Sequence, residues 1–88
     1  MIKYLVKKHC EATERCTVAL GRVQDYYYGD TSRFLSRDFL PSEEATRIYG
    51  YASEDAALER ANGMTKAAEM EQSSGYWIIT VEVVSVEV

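Results

Sequence analysis

The stretch from Ala45 to Val88 constrains the fold more than any other, because it reads as a strand, a capped helix and a long final strand in one run. Ser53 followed by Glu54 and Asp55 marks a helix start: the hydroxyl can accept from unpaired N–H groups of the first turn, and the acids sit at the positive end of the helix dipole. Ala57, Ala61, Met64 and Ala68, flanked by Leu58 and Thr65, recur at helical spacing, with Glu59, Asn62, Lys66 and Glu69 on the polar side. So many small residues in the stripe predict a helix lying close to a sheet. Gly63 interrupts it at a cost of up to about 1 kcal/mol relative to Ala, and Ser73, Ser74 and Gly75 end it.

In the final strand Trp77, Ile79, Val81 and Val83 share one face, with Tyr76, Thr80 and Glu82 opposite, the pattern of a sheet with one buried side. Beyond Val83 the alternation inverts, and Val84, Val86 and Val88 fall on the face that carries Glu82. Either a bulge at Val83 and Val84 restores the register, or Val84, Val86 and Val88 form an edge for self-association. Ahead of the helix, Thr46 to Tyr51 alternates and reads as a strand. PSEEA before it resembles a helical turn with Ser42 as cap.

At the other end, Ile2, Tyr4 and Val6 alternate with Lys3, Leu5 and Lys7, which predicts a half-buried strand over 2–9 with a basic face. After the polar connection of 11–15, the segment Cys16 to Tyr28 is rich in β-branched and aromatic residues and reads as a second strand. Ala12, Cys16, Ala19, Val23 and Tyr26 also make a helical stripe there. Gly29 and Asp30 end the segment in a turn, and 31–40 holds one short strand, its pairs Phe34 with Leu35 and Phe39 with Leu40 capping the edge of the core. The strand reading gives a single α+β domain over 1–88: an antiparallel β-meander, one main helix on one face and a C-terminal β-α-β unit. The helix reading gives the ferredoxin-like order βαββαβ.

A chain of 88 residues buries only about 60 to 65% of its unfolded surface, which leaves no apolar area for a second core. Without a signal-like apolar run or a membrane-length segment, a cytoplasmic location away from membranes is expected. There Cys10 and Cys16 are expected as free thiols. Charge is uneven: Met1 to Arg37 carries seven bases and four acids, net +3, whereas Asp38 to Val88 carries three bases and ten acids, net −7. One face therefore attracts a partner of opposite sign, or a second copy.

Chemistry is sparse. His9 and Cys10 point to opposite faces of one strand and cannot form a nucleophile and base pair. With Cys16 they fall short of a tetrahedral metal set. Asp25, Asp30, Glu43 and Glu44 are not spaced to pair on one rigid element, and the five glycines are isolated, so no phosphate loop is present. The sequence thus assigns no catalytic residue, metal ligand or cofactor and points to a protein that is not an enzyme.

Tyrosine is the departure from background: seven Tyr against two Phe, with Tyr26, Tyr27 and Tyr28 in succession. Three successive strand residues cannot share one buried face, so at least one ring is expected in solvent, where Tyr suits an interface. Tyr26, Tyr27, Tyr28, Tyr49 and Tyr51, with Glu69 and Glu71 of the acidic half, are the candidate protein-binding residues. Lys3, Lys7 and Arg22 on strands beside the tyrosines could also place cations and stacking rings together for RNA or DNA, but the net acidity argues against nucleic acid.

From Tyr27 onward the succession YYGD, RFLSRDF, EEATRIYGY, SEDAALERA and a Val-rich acidic terminal strand resembles a recurrent pattern of small phage and prophage proteins of unknown function. The resemblance implies a mobile-element setting, in which small acidic non-enzymatic proteins bind and inhibit host machinery, anti-CRISPR proteins among them. It implies a host nuclease or ribonucleoprotein complex as partner and assigns no role to any single residue.

Overall fold

Two strands of eleven residues, β1 (Ile2–Ala12) and β4 (Trp77–Glu87), pair antiparallel along their whole length in the computed structural model, which describes residues 1–16 and 22–88. On the other side of β1 lies β2 (Val23–Tyr28), followed by β3 (Phe34–Arg37), so the sheet order is β3-β2-β1-β4 and every pairing is antiparallel. The first three strands form the expected meander. The fourth returns by a long connection to lie beside the first, a Greek-key order. That connection holds α1 (Glu43–Tyr49) and α2 (Glu54–Gln72). The fold is α+β, and direct pairing of β1 with β2 rules out the ferredoxin-like order, in which a helical crossover sets another strand between them. Of the segment Cys16 to Tyr28, the part from Val23 is strand, and 17–21 lie outside the described residues.

The main helix forms as its sequence dictates. Ser53 Oγ accepts from the Ala56 N–H at 3.2 Å, and Gly75 takes a positive φ of 79° in the turn to β4. Ala57, Ala61 and Ala68 are buried against the sheet. Ala57 and Ala61 pack with Val6, Val81, Val83 and the half-buried Met64, and Ala68 packs with Cys10 and Ile79. Leu58, a flank of the stripe by sequence, is exposed.

Thr46 to Tyr51 is not a strand. Ser42 Oγ accepts from the Ala45 N–H at 3.1 Å, Glu43 and Glu44 occupy the first turn, and Thr46 is fully buried with its hydroxyl donating to the Ser42 carbonyl at 2.9 Å. Cap, acids and the preceding proline outweigh a six-residue alternation. Of this segment only Tyr51 pairs with the sheet, exchanging backbone hydrogen bonds of 2.8 and 2.9 Å with Tyr4, so the expected C-terminal β-α-β unit loses its first strand. α1 closes down at the end of β1 on the face of Lys3 and Leu5, opposite α2. A Cβ on Gly50 would lie 2.8 Å from Lys3 Cβ, and Leu5 is wholly buried although α2 does not cover its face.

The register of β1 with β4 runs unbroken from Ile2 opposite Glu87 to Ala12 opposite Trp77. There is no bulge at Val83 and Val84, and Val84 and Val86 lie half-buried across from Leu5 and Lys3. The register shift occurs instead between β2 and β3, at Tyr27 and Tyr28. Phe39 and Leu40 do not cap the core: they are exposed beyond Asp38, which turns the chain out of β3 with φ of 67°. Among the described residues no helix is long and apolar enough to cross a membrane.

Candidate functional site

Among the described residues, α2 packs chiefly on β4 and β1 and reaches the same face of β2 only at its edge, where Arg60 lies over Tyr28. Alternation along β1 puts Lys8 on this face between Val6 and Cys10, and alternation along β2 adds Gln24, Tyr26 and Tyr28. The β2–β3 register shift sets Phe34 opposite Tyr28 and aims its ring the same way. Phe34 meets Tyr26 edge-on at 5.2 Å between centroids (67°) and Tyr28 at 6.4 Å (79°), the geometry aromatic quadrupoles prefer. Trp77 of β4 and Glu71 of α2 close the opposite wall. The result is a trough of about 260 Å³ with four aromatic rings on its walls.

Its polar groups are few and paired. Lys8, whose side chain is only 18% exposed, would be a costly isolated charge there, and Glu71 approaches its Nζ at 3.3 Å. The Tyr26 hydroxyl donates to Gln24 Oε1 at 2.7 Å. Burial pushes the Cys10 thiol and the Tyr28 hydroxyl above their ordinary pKa ranges, so both are protonated at neutral pH. At the far end the Arg60 guanidinium lies 5.4 Å over the Tyr28 ring while donating to the Thr31 carbonyl at 2.9 Å and the Tyr51 hydroxyl at 3.1 Å. A largely neutral, aromatic-walled hollow with one ion pair is suited to receive an apolar group.

His9 lies on the other face, as alternation requires. Its Nδ1 is 2.5 Å from Asp25 Oδ1 and its Nε2 3.0 Å from Glu11 Oε1. Hydrogen bonds to Glu11 and Asp25 hold its pKa above the usual 6.5.

Of the residues singled out by sequence, Tyr26, Tyr28 and Glu71 converge on the trough. Tyr27 is buried on the opposite face with Lys7 Nζ 5.9 Å from its ring, and Tyr26 and Tyr28 are half-buried, so no ring of the triplet stands free in solvent. Tyr49 is exposed at the end of α1, Tyr51 is tied to Arg60, and Glu69 is exposed on α2. Lys8, Cys10, Gln24, Phe34 and Trp77 escaped sequence reasoning. The β1 alternation could have placed Lys8 beside Val6, whereas no local pattern shows the register shift that aims Phe34. Of the cations and rings proposed for nucleic acid, Lys7 does share a face with Tyr27, whereas Lys3 and Lys7 lie on the face away from Tyr26 and Tyr28, and Arg22 is bonded to the carbonyls of Ala12, Thr13 and Cys16. No family model matches this chain, and no similar curated protein or solved structure was found.

Proposed function

We propose that this chain is a non-catalytic protein-binding module whose partner inserts an apolar or aromatic side chain into the trough between α2 and Phe34. The observation that carries the reading is the gathering of Tyr26, Tyr28, Phe34 and Trp77 around one hollow on the part of the sheet that α2 leaves open. Its 260 Å³ falls below the roughly 300 to 1,000 Å³ of small-molecule pockets, which suits a single anchoring side chain better than a cofactor. Half-buried aromatic anchors beside charged groups are what interface hot spots are made of. Glu71, half exposed at the wall of the trough beside Lys8, can be shared with a basic residue next to the anchor. In the mobile-element setting implied by the sequence resemblance, the partner is a host nuclease or ribonucleoprotein complex, inhibited by occupation of a basic surface.

Selection of binders from a random displayed peptide library tests the reading. The selected peptides are expected to share an aromatic or leucine anchor beside Lys or Arg, and Phe34→Ala to weaken them by about 2 kcal/mol, roughly 30-fold. Phe39→Ala, which removes a 77% exposed ring outside the trough, leaves affinity unchanged. Equal affinity of the wild type and Phe34→Ala would place the site elsewhere.

A further inference from the structure

β4 is an edge strand, and its outer edge is only partly closed. The Tyr76 carbonyl accepts from the Thr13 N–H at 2.9 Å, and the Val88 N–H donates to the Met1 carbonyl at 2.7 Å. Antiparallel alternation therefore turns the backbone groups of even-numbered residues toward β1 and those of odd-numbered residues outward. One outward carbonyl is already occupied: Gln72 Nε2 donates to Ile79 O at 3.2 Å. Beyond that cap, Val81, Val83, Ser85 and Glu87 present their N–H and C=O groups away from the sheet, and no described residue pairs with them. A run of unpaired strand edge with valines on both sides is a template for another strand.

We infer that the occupant is a second copy of this chain, its β4 antiparallel to the first about a two-fold axis at Val84. A two-fold interface must be complementary to itself, and the free stretch from Val81 to Glu87 is centred on Val84. With the axis there, Val81 pairs with Glu87 of the other copy and Val83 with Ser85, so all four outward residues exchange both backbone bonds. An axis at Glu82 would set two carboxylates directly opposite, and one at Val83 would pair Glu87 with the capped Ile79. At Val84 the charges meet apolar groups instead: Glu82 faces Val86, Glu87 faces Val81, and Val84 meets its own symmetry mate. The two sheets become one of eight strands, and the half-exposed Val84 and Val86 gain cover. None of the pairing residues lines the trough, so the inference stands independently of the proposed function.

Sedimentation equilibrium of the full chain through the micromolar range tests it. The wild type is expected at twice the 10.0 kDa of one chain. Val84→Lys and Val84→Glu each place like charges on the axis and give a monomer, and an equimolar mixture of the two restores the dimer. Ser85→Pro removes only an outward N–H, leaves the β1 ladder intact, and gives a monomer with unchanged circular dichroism. A wild type that stays monomeric throughout, or a dimer indifferent to all three variants, would overturn the inference. So would a dimer that Ser85→Pro leaves intact in a folded protein.

Discussion

His9 is held between two carboxylates, and the protonated imidazolium is the form that satisfies both, donating from Nε2 to Glu11 and from Nδ1 to Asp25. Because its pKa is raised above 6.5 in the fold, the folded chain binds this proton more tightly than the unfolded one. The resulting stabilisation is fully present below pH 6.5 and is lost as pH rises through the folded-state pKa. Urea unfolding of the wild type followed across that interval is expected to show a falling midpoint, and His9→Gln to remove that part of the dependence. An identical slope in both proteins would show that the clasp is not felt in solution. At this scale the sequence is a good guide to which face a residue takes, since strict alternation along β1 separates His9 from Cys10 and puts Lys8 with the core. It is a poor guide to what covers that face: Leu5, on the side away from α2, is completely buried because α1 closes down near it.

α2 and α1 show how cap signals compare with periodicity. Ser53 and the alanine stripe made α2 legible over its whole length. In 43–51 the cap at Ser42 and the alternation of Thr46 to Tyr51 pointed to different structures, and the cap prevailed because α1 also buries Thr46. A Cβ added to Gly63 meets nothing within 4 Å, so Gly63→Ala is expected to stabilise the chain by about 0.5 to 1 kcal/mol in chemical denaturation. The opposite holds at Gly29, where a Cβ would lie 2.5 Å from the Tyr49 carbonyl and 2.9 Å from Leu35 Cδ1. Gly29→Ala must push α1 off the end of β2, and a loss of about 1 to 3 kcal/mol is expected by the same measurement. Between β2 and β3, a one-residue shift in register decides whether Phe34 or Leu35 joins the trough, and such a shift depends on pairing partners that no local pattern reveals.

For the whole molecule, the strand order explains why a trough exists at all. A single helix on a four-stranded sheet covers about two strands, and the Greek-key return puts those two, β1 and β4, at one side. Among the described residues, β2 and β3 are left with an aromatic face that α2 meets only along one edge. The sequence was enough for the α+β class, the meander and the helix. It scattered the tyrosines among candidate surfaces, because their convergence depends on that order and on the register of β3. The central claim is that the trough beside this face is where a partner binds, and Trp77, the only tryptophan, stands in its opposite wall as a reporter. The most direct measurement is a two-dimensional amide NMR titration with a library-selected peptide. The account predicts shifts at the Trp77 indole N–H and at the amides of Lys8, Cys10, Gln24, Tyr26 and Phe34. Shifts confined to α1, to Phe39 and Leu40, or to the outer face of α2 would contradict it.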